Sequence, residues 1–516
     1  MNAKKILSLL LIAAMLVSVL CMGVSASDTA FEPVSISKGE PVTITWSDTY
    51  TGTVVNADGG TYIPASFLLW VEGTSTVTVG GTAVAASMTN SGNDGYVITT
   101  GSAAQTIVVN ITASEKDAVG TYTITCPAQN GTVPTSIVSS VEGYLPVGQF
   151  ARGNGWGSAS GKFTTDAYAS TGVSLGAAGG YIQMDLTSPI YNLATNPYGV
   201  DFIVYGNAFN GNPEAGAVKV YGYAEGATTA AWYDLAGSLY YDSISKNNST
   251  VSYKKVDSGS EAGIWYKVND GAWTKFNTNT STGWWPTASE YLNGWGNVDG
   301  VTWDQTNNII TYTGVSLVKD TDTTNDYQFG YFDIHINGSN YGAVENPYTI
   351  TNTQSGGDGF DLSWAVDANG NPVNLTHITK VRLYTAAALT SNGSAFTTPS
   401  IFGETSAEVC GVFATANGET EAVGRTEMPL LTLDDTDIFD LADEGRIIVE
   451  ETSYGLFIDA SEADYGDVRI SATATSTANI YFNSERTDTF DREDRDCIRV
   501  IVQDGTAEPF IAFIKF

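Results

Sequence analysis

Histidine is almost absent from this chain: its 516 residues include 2, His335 and His377. Imidazole is the side chain most often used to move protons near neutral pH, so catalysis here would fall mainly to carboxylates. Cysteine is scarce too, and of its 4 copies only Cys126, Cys410 and Cys497 lie beyond residue 26. Three thiols cannot all pair within the chain, which leaves buried thiols or one bridge with a spare. There is no CxxC pair and no Cys/His cluster, so a structural zinc site is excluded. Positive charge is the third shortage, with 23 Lys and Arg against 56 Asp and Glu and a net charge of −33. Such a field repels phosphate backbones and anionic lipid, and nucleic acid is not an expected partner. Past residue 26 no apolar run approaches the roughly 20 residues of a membrane helix, so no transmembrane segment is expected. No long segment has helical apolar spacing either, which disfavours a doubly wound nucleotide-binding fold.

What is present is the material of strands and turns. The chain has 54 Gly and 27 Tyr, with many Thr, Val and Asn, a composition that favours sheets over helices. Residues 1–26 carry Lys4 and Lys5, an apolar run from Ile6 to Cys21 and a small-residue end at Val24-Ser25-Ala26, the plan of a secretory signal peptide. Cys21 would suit lipid attachment, but Leu20 stands where that reaction wants a small residue. A secreted or cell-surface product is therefore expected. Residues 27–140 show short alternating runs such as PVTITW, ASFLLWVE and QTIVVNIT, which suit an immunoglobulin-like β-sandwich. Nine of the 11 Trp fall between Trp156 and Trp364, within a stretch, 141–417, whose many strand-like runs suit a larger two-sheet sandwich. From 418 to 516 tryptophan stops and acidic charge rises, and RIIVEE, CIRVIVQ and FIAFIKF predict a third, smaller sandwich. The fold class expected is all-β, a large central sandwich flanked by two smaller Ig-like ones.

Inside the central stretch, Phe360, Leu362, Trp364 and Val366 alternate with Asp361, Ser363, Ala365 and Asp367, the period of a strand with one buried face. Asn369-Gly370 supplies a tight turn, and Val381, Leu383 and Thr385 predict a returning strand, so the segment reads as a β-hairpin. The loop GWWPTASEYLNGWGN places Trp284, Trp285, Tyr291 and Trp295 among glycines, where planar rings either stack on a ligand such as a sugar or cap the core. Strand period sends Asp333 and His335 to one face, roughly 6.5 to 7 Å apart, where they flank a ligand or lie on a solvated sheet. Asp201, Asn207, Glu214, Asp358 and Asp361 stand beside glycines in loops that would suit calcium, a hard cation that takes oxygen ligands. Asp367-Ala368-Asn369-Gly370 opens like an EF-hand but lacks the later ligands. A glycosidase would need two carboxylates at a set separation, and Glu214 with Glu404 is one such pair.

The segments GQF at 148, SLGAAGGYIQMDL at 174, DFIVYGNAF at 201, WYDLAGS at 232, GGDGFDLSWAVDANGNPVNL at 356, VRLYTA at 381 and GETSAEV at 403 resemble, in order, a family of secreted bacterial cell-surface proteins of gut Bacteroidetes and Firmicutes. The resemblance spans about half the chain and implies a surface-exposed β-sandwich protein with no catalytic residues to carry over. Some members of that family stand beside modules associated with corrinoid capture. Together these readings predict a non-catalytic binding or adhesion protein that engages a glycan, another extracellular small-molecule ligand or surface proteins through its central region, with calcium fixing loops. The alternatives are corrinoid (cobalamin) capture, a secreted carbohydrate-active enzyme and a structural surface-layer component.

Overall fold

The computed structural model describes residues 34–36, most of 66–126 and most of 137–516; within the last stretch, 149–167, 276–284, 287–297, 390–405 and 416–424 are the longest runs outside it. The leader, Asn207, Trp284, Tyr291 and Trp295 lie outside the described residues.

The chain is all-β. Near the amino terminus, Ser66–Glu72 pairs with Val34–Ile36 and Asn93–Thr99, while Thr74–Val79 and Gln105–Ala113 centre a second four-stranded sheet. Period-2 alternation puts Val77, Ile107, Val109 and Ile111 inside, and Tyr96 reaches across to donate to the Ser75 carbonyl at 2.9 Å.

The central unit has three layers. Its middle sheet runs Ala365–Val366, Ala231–Leu235, Gly216–Ala224, Leu375–Thr385, Tyr181–Tyr191, Val138–Leu145, antiparallel throughout. The edge strand begins at Val138 and so runs across the 140/141 boundary expected between the first two units. On one side lies a four-stranded sheet in the order Tyr168–Ser174, Glu408–Ala414, Phe202–Tyr205, Asp358–Phe360. Thr385 ties these two layers, donating to the Gly176 carbonyl at 2.8 Å and accepting from Ala407 N at 3.1 Å. On the other side a third sheet runs Thr274–Lys275, Gly263–Val268, Lys246–Val256, Ile309–Lys319, Val301–Asp304. There Tyr384 Oη accepts from Ser316 N at 3.1 Å and Tyr181 meets Tyr312 edge-to-face at 6.2 Å. One continuous apolar cluster fills all three layers.

The expected hairpin around Asn369-Gly370 is corrected. The turn exists, with Asp367 Oδ1 accepting from the amides of Asn369 at 2.8 Å and Asn371 at 2.9 Å. The arms pair only beside the turn, where Val366 bridges Pro372 and Val373 N donates to the Ala365 carbonyl at 2.9 Å; beyond it Ala231–Leu235 and Gly216–Ala224 lie between Ala365–Val366 and Leu375–Thr385. Nor is the first arm one strand: Asp361 caps a 3₁₀ turn at Leu362–Trp364 by accepting from Ser363 N at 2.7 Å. Every residue from Phe360 to Val366 is consequently buried, polar ones included.

The carboxy-terminal unit has sheets of four and five strands and one short helix, Ile438–Asp443. Its strand Cys497–Gln503 has two buried faces. Ile498, Val500 and Val502 enter this unit's own core, while Ile501 joins the central core together with Ile511 and Tyr481. Arg499, on the same side as Ile501, donates to the carbonyls of Ala236 at 2.6 Å and Gly237 at 2.8 Å. Tyr481 Oη donates to the Tyr348 carbonyl at 2.9 Å, and Asn346 Nδ2 to Gln503 Oε1 at 2.8 Å. Continuous apolar runs are what strands covered on both faces require. Cys410 and Cys497 are not disulfide-bonded.

Candidate functional site

Three carboxyl groups converge in the seam between the middle and the four-stranded sheets: Glu214, Asp333 and Glu408 each place an oxygen within 4.8 Å of the others. All three side chains are buried. Backbone pairing sets their positions. Gly216 and Phe332 exchange two hydrogen bonds, at 2.9 and 3.0 Å, and Glu214 N donates to the Asp333 carbonyl at 3.0 Å. Asp333 takes a left-handed conformation, φ 60°, which a short acidic side chain tolerates better than most. Its Oδ2 accepts from Glu408 N at 2.8 Å. Gly206 continues the strand Phe202–Tyr205 into the site, and a Cβ there would collide with Asp333 Oδ1, so glycine is required by the close approach.

Glu408 meets hydroxyls and a second carboxyl. Burial pushes its carboxyl above the ordinary carboxylate range, and hydrogen bonds from Ser174, Ser406 and Glu214 partly offset this. Ser406 Oγ donates to Glu408 Oε1 at 3.0 Å and accepts from Gly176 N at 2.9 Å. A hydrogen bond between two carboxyls needs a proton on one of them. The set is oxygen-only, which suits calcium or magnesium and not a thiophilic metal.

The expected site residues separate into distinct places. Asp333 and His335 do not form an exposed pair: the segment is not a strand at Asp333, and both side chains are buried. His335 Nδ1 instead lies 2.6 Å from Asp358 Oδ1, an enclosed imidazole–carboxylate contact. His377 is held between rings, with Tyr191 at 5.4 Å and Tyr223 at 4.8 Å. Trp285 packs against the central core and donates from Nε1 to Asn308 Oδ1 at 2.9 Å, so the described member of the aromatic loop has a packing role.

Of the five proposed calcium ligands, Glu214 is in the trio, Asp358 is with His335, and Asp201 and Asp361 are elsewhere. Asp361 faces Glu508 of the carboxy-terminal unit, and Asp201 lies beside Asp361. Asp201 accepts from Asn196 Nδ2 and Leu362 N, both at 2.8 Å, yet burial first and Asp361 second raise its carboxyl well above the usual range. Asp361 is pushed up to about 8 by burial and then by Glu508. Its Oδ2 has no hydrogen-bond partner among the described residues. Glu508, itself raised by burial, accepts from Arg425 Nε at 3.1 Å and Nη2 at 2.8 Å.

Glu408 is the residue that sequence reasoning missed. It lies four positions past Glu404, which is outside the described residues, and opens the otherwise apolar strand EVCGVFA. A charged residue leading an apolar strand is the signal that marks it. No protein-family model matches this chain, and no curated protein matches it.

Proposed function

We propose that the chain is a non-catalytic extracellular binding protein that engages a glycan or similar ligand through its central unit. The observation that carries this reading is the enclosure, among the described residues, of both imidazoles and of the one converging carboxyl trio. Both imidazoles are buried against structural partners, and the converging carboxylates sit between sheets. Catalytic groups must reach a substrate atom at hydrogen-bond distance, and a buried trio serves to fix sheets in place. The leader-like segment at 1–26 and the resemblance to secreted surface proteins support the extracellular location.

Within this reading a calcium ion bridges Glu214, Asp333 and Glu408. Its role is structural: it balances charge that would otherwise require protons and joins the four-stranded sheet, the start of Gly216–Ala224 and the Asp333 loop. Melting the full chain in chelator and in millimolar calcium tests the metal. The expected result is a melting temperature that rises with calcium concentration, a rise absent in Glu214→Gln. Identical melting in chelator and calcium would remove the metal from the reading. A glycan and corrinoid array tests the binding role, and turnover of any glycan would replace it with an enzyme.

A further inference from the structure

The outer face of the third sheet carries a lysine and tryptophan chequerboard. Strand register aligns Lys275, Trp265, Lys254, Ile309 and Asp304 in one row across five strands. The adjacent row has Lys267, Ser252, Thr311 and Thr302, and Trp273 extends it, with its ring 5.5 Å from Lys267 Nζ. The opposite face of these strands buries Val251, Tyr253, Tyr266, Ile310 and Tyr312 in the core. Alternation therefore turns the lysines and the two rings outward. Lys275 is exposed, and Lys254, Lys267, Trp265 and Trp273 are half-buried.

In a chain of net charge −33, three ammonium groups on one face form a local positive field. None of the three makes an ion pair among the described residues. Lys254 Nζ lies 5.6 Å from the centre of Trp265 and 4.8 Å from that of Trp273, so the rings hold a cation in place by their negative faces. Trp265 is itself oriented by donating from Nε1 to the Glu261 carbonyl at 2.9 Å. Asp304, at the far end of the row, has its carboxylate engaged by Asn307 Nδ2 at 2.6 Å and by the Thr306 and Asn307 amides.

We infer that this face binds an acidic polysaccharide built from uronic acids, an inference that rests on the glycan-binding reading above and assigns its ligand class and its surface. Charge complementarity selects an anion. The face runs across the strands from one edge of the sheet to the other rather than along a single edge, and its apolar surface includes two indole rings, which suit the C–H faces of sugar rings. A uronate carboxylate projects from the rim of its ring and leaves the ring face free to meet indole. Strands about 4.8 Å apart set Lys275 and Lys254 about 10 Å apart, on the order of two sugars along a chain.

Calorimetric titration of the full chain with polygalacturonate oligomers tests the assignment, with neutral dextran, dextran sulfate and poly-glutamate as comparisons. The expected result is saturable binding of polygalacturonate that weakens with salt. It should weaken at least tenfold in the triple variant Lys254→Gln, Lys267→Gln, Lys275→Gln and at least tenfold in the double variant Trp265→Ala, Trp273→Ala. Both variants should melt with the wild type, since these side chains lie on the outer face. The inference is overturned if polygalacturonate does not bind, if both variants bind it unchanged, or if dextran sulfate or poly-glutamate binds as tightly. Self-association that disappears in the lysine variant would assign the face to a second copy of the chain and overturn it as well. A neutral glycan bound while polygalacturonate is ignored would end this inference and leave the binding reading standing; silence across the whole glycan and corrinoid array would end both.

Discussion

Replacing Arg499 by methionine is expected to destabilise the chain by about 2–4 kcal/mol, the scale for losing hydrogen bonds from a charged donor and leaving a buried carbonyl unsatisfied. The guanidinium is buried between units, bonded to the Ala236 and Gly237 carbonyls at 2.6 and 2.8 Å. Its plane lies 5.4 Å from the centre of Tyr241 and 5.3 Å from that of Phe329. Methionine fills much of the volume and donates nothing, so the Ala236 carbonyl loses its donor in a buried seam, while the Gly237 carbonyl keeps the amide of Tyr240 at 3.1 Å. Lysine restores the charge but not the planar fork that serves both carbonyls, and Arg499→Lys should recover less than half of the loss. Urea unfolding followed by tryptophan fluorescence reads the effect, since most tryptophans are in the central stretch. A loss below about 1 kcal/mol would show that the contact behaves like an exposed pair and does not join the units.

The second large effect concerns pH. Asp361 has a carboxyl raised from its ordinary 3.8 to about 8, so the folded chain holds a proton there that the unfolded chain releases. Its contribution to stability is complete below about pH 4 and is lost as pH rises toward 8. A tenfold change in proton affinity corresponds to about 1.4 kcal/mol, which puts the effect on the order of a few kcal/mol. Asp201 and Glu508, both raised by burial, act in the same direction, while Arg425 opposes them at Asp361. Asp361→Asn keeps an acceptor for Ser363 N and cannot ionise. The expected result is a wild type that is more stable at pH 5.5 than at pH 8.5 and a variant in which that difference shrinks. Equal pH dependence in the two proteins would refute the assignment to Asp361.

The all-β class was legible because alternation and turn residues are local signals, and the strands Gln105–Ala113 and Cys497–Gln503 fell where the pattern put them. Of the hairpin, only the turn and the short ladder beside it were legible. Asp361 diverts the chain through its own side-chain bond to Ser363 N, and the strands that separate the two arms come from more than a hundred positions earlier in the chain. Alternation says which face a residue takes and nothing about which strand lies beside it. The site was legible only in parts. Glu214 and Asp333 stood out singly, for different roles, and Asp358 and His335 were placed in different sets although they touch at 2.6 Å. Their meeting depends on the order of strands in two sheets, which is a non-local outcome.

The doubly covered strand Cys497–Gln503 bears on how such a chain can be rearranged. Composition draws a boundary near residue 418, as though the last hundred residues were a bead that could be exchanged. Their removal would strip the cover from Phe329 and Tyr348, whose rings close on Tyr481 and behind which Trp364 packs, and would give the remainder a sticky flank. Each unit therefore supplies part of the other's cover, and a graft of either onto another protein succeeds only if it brings its partner or a repainted surface.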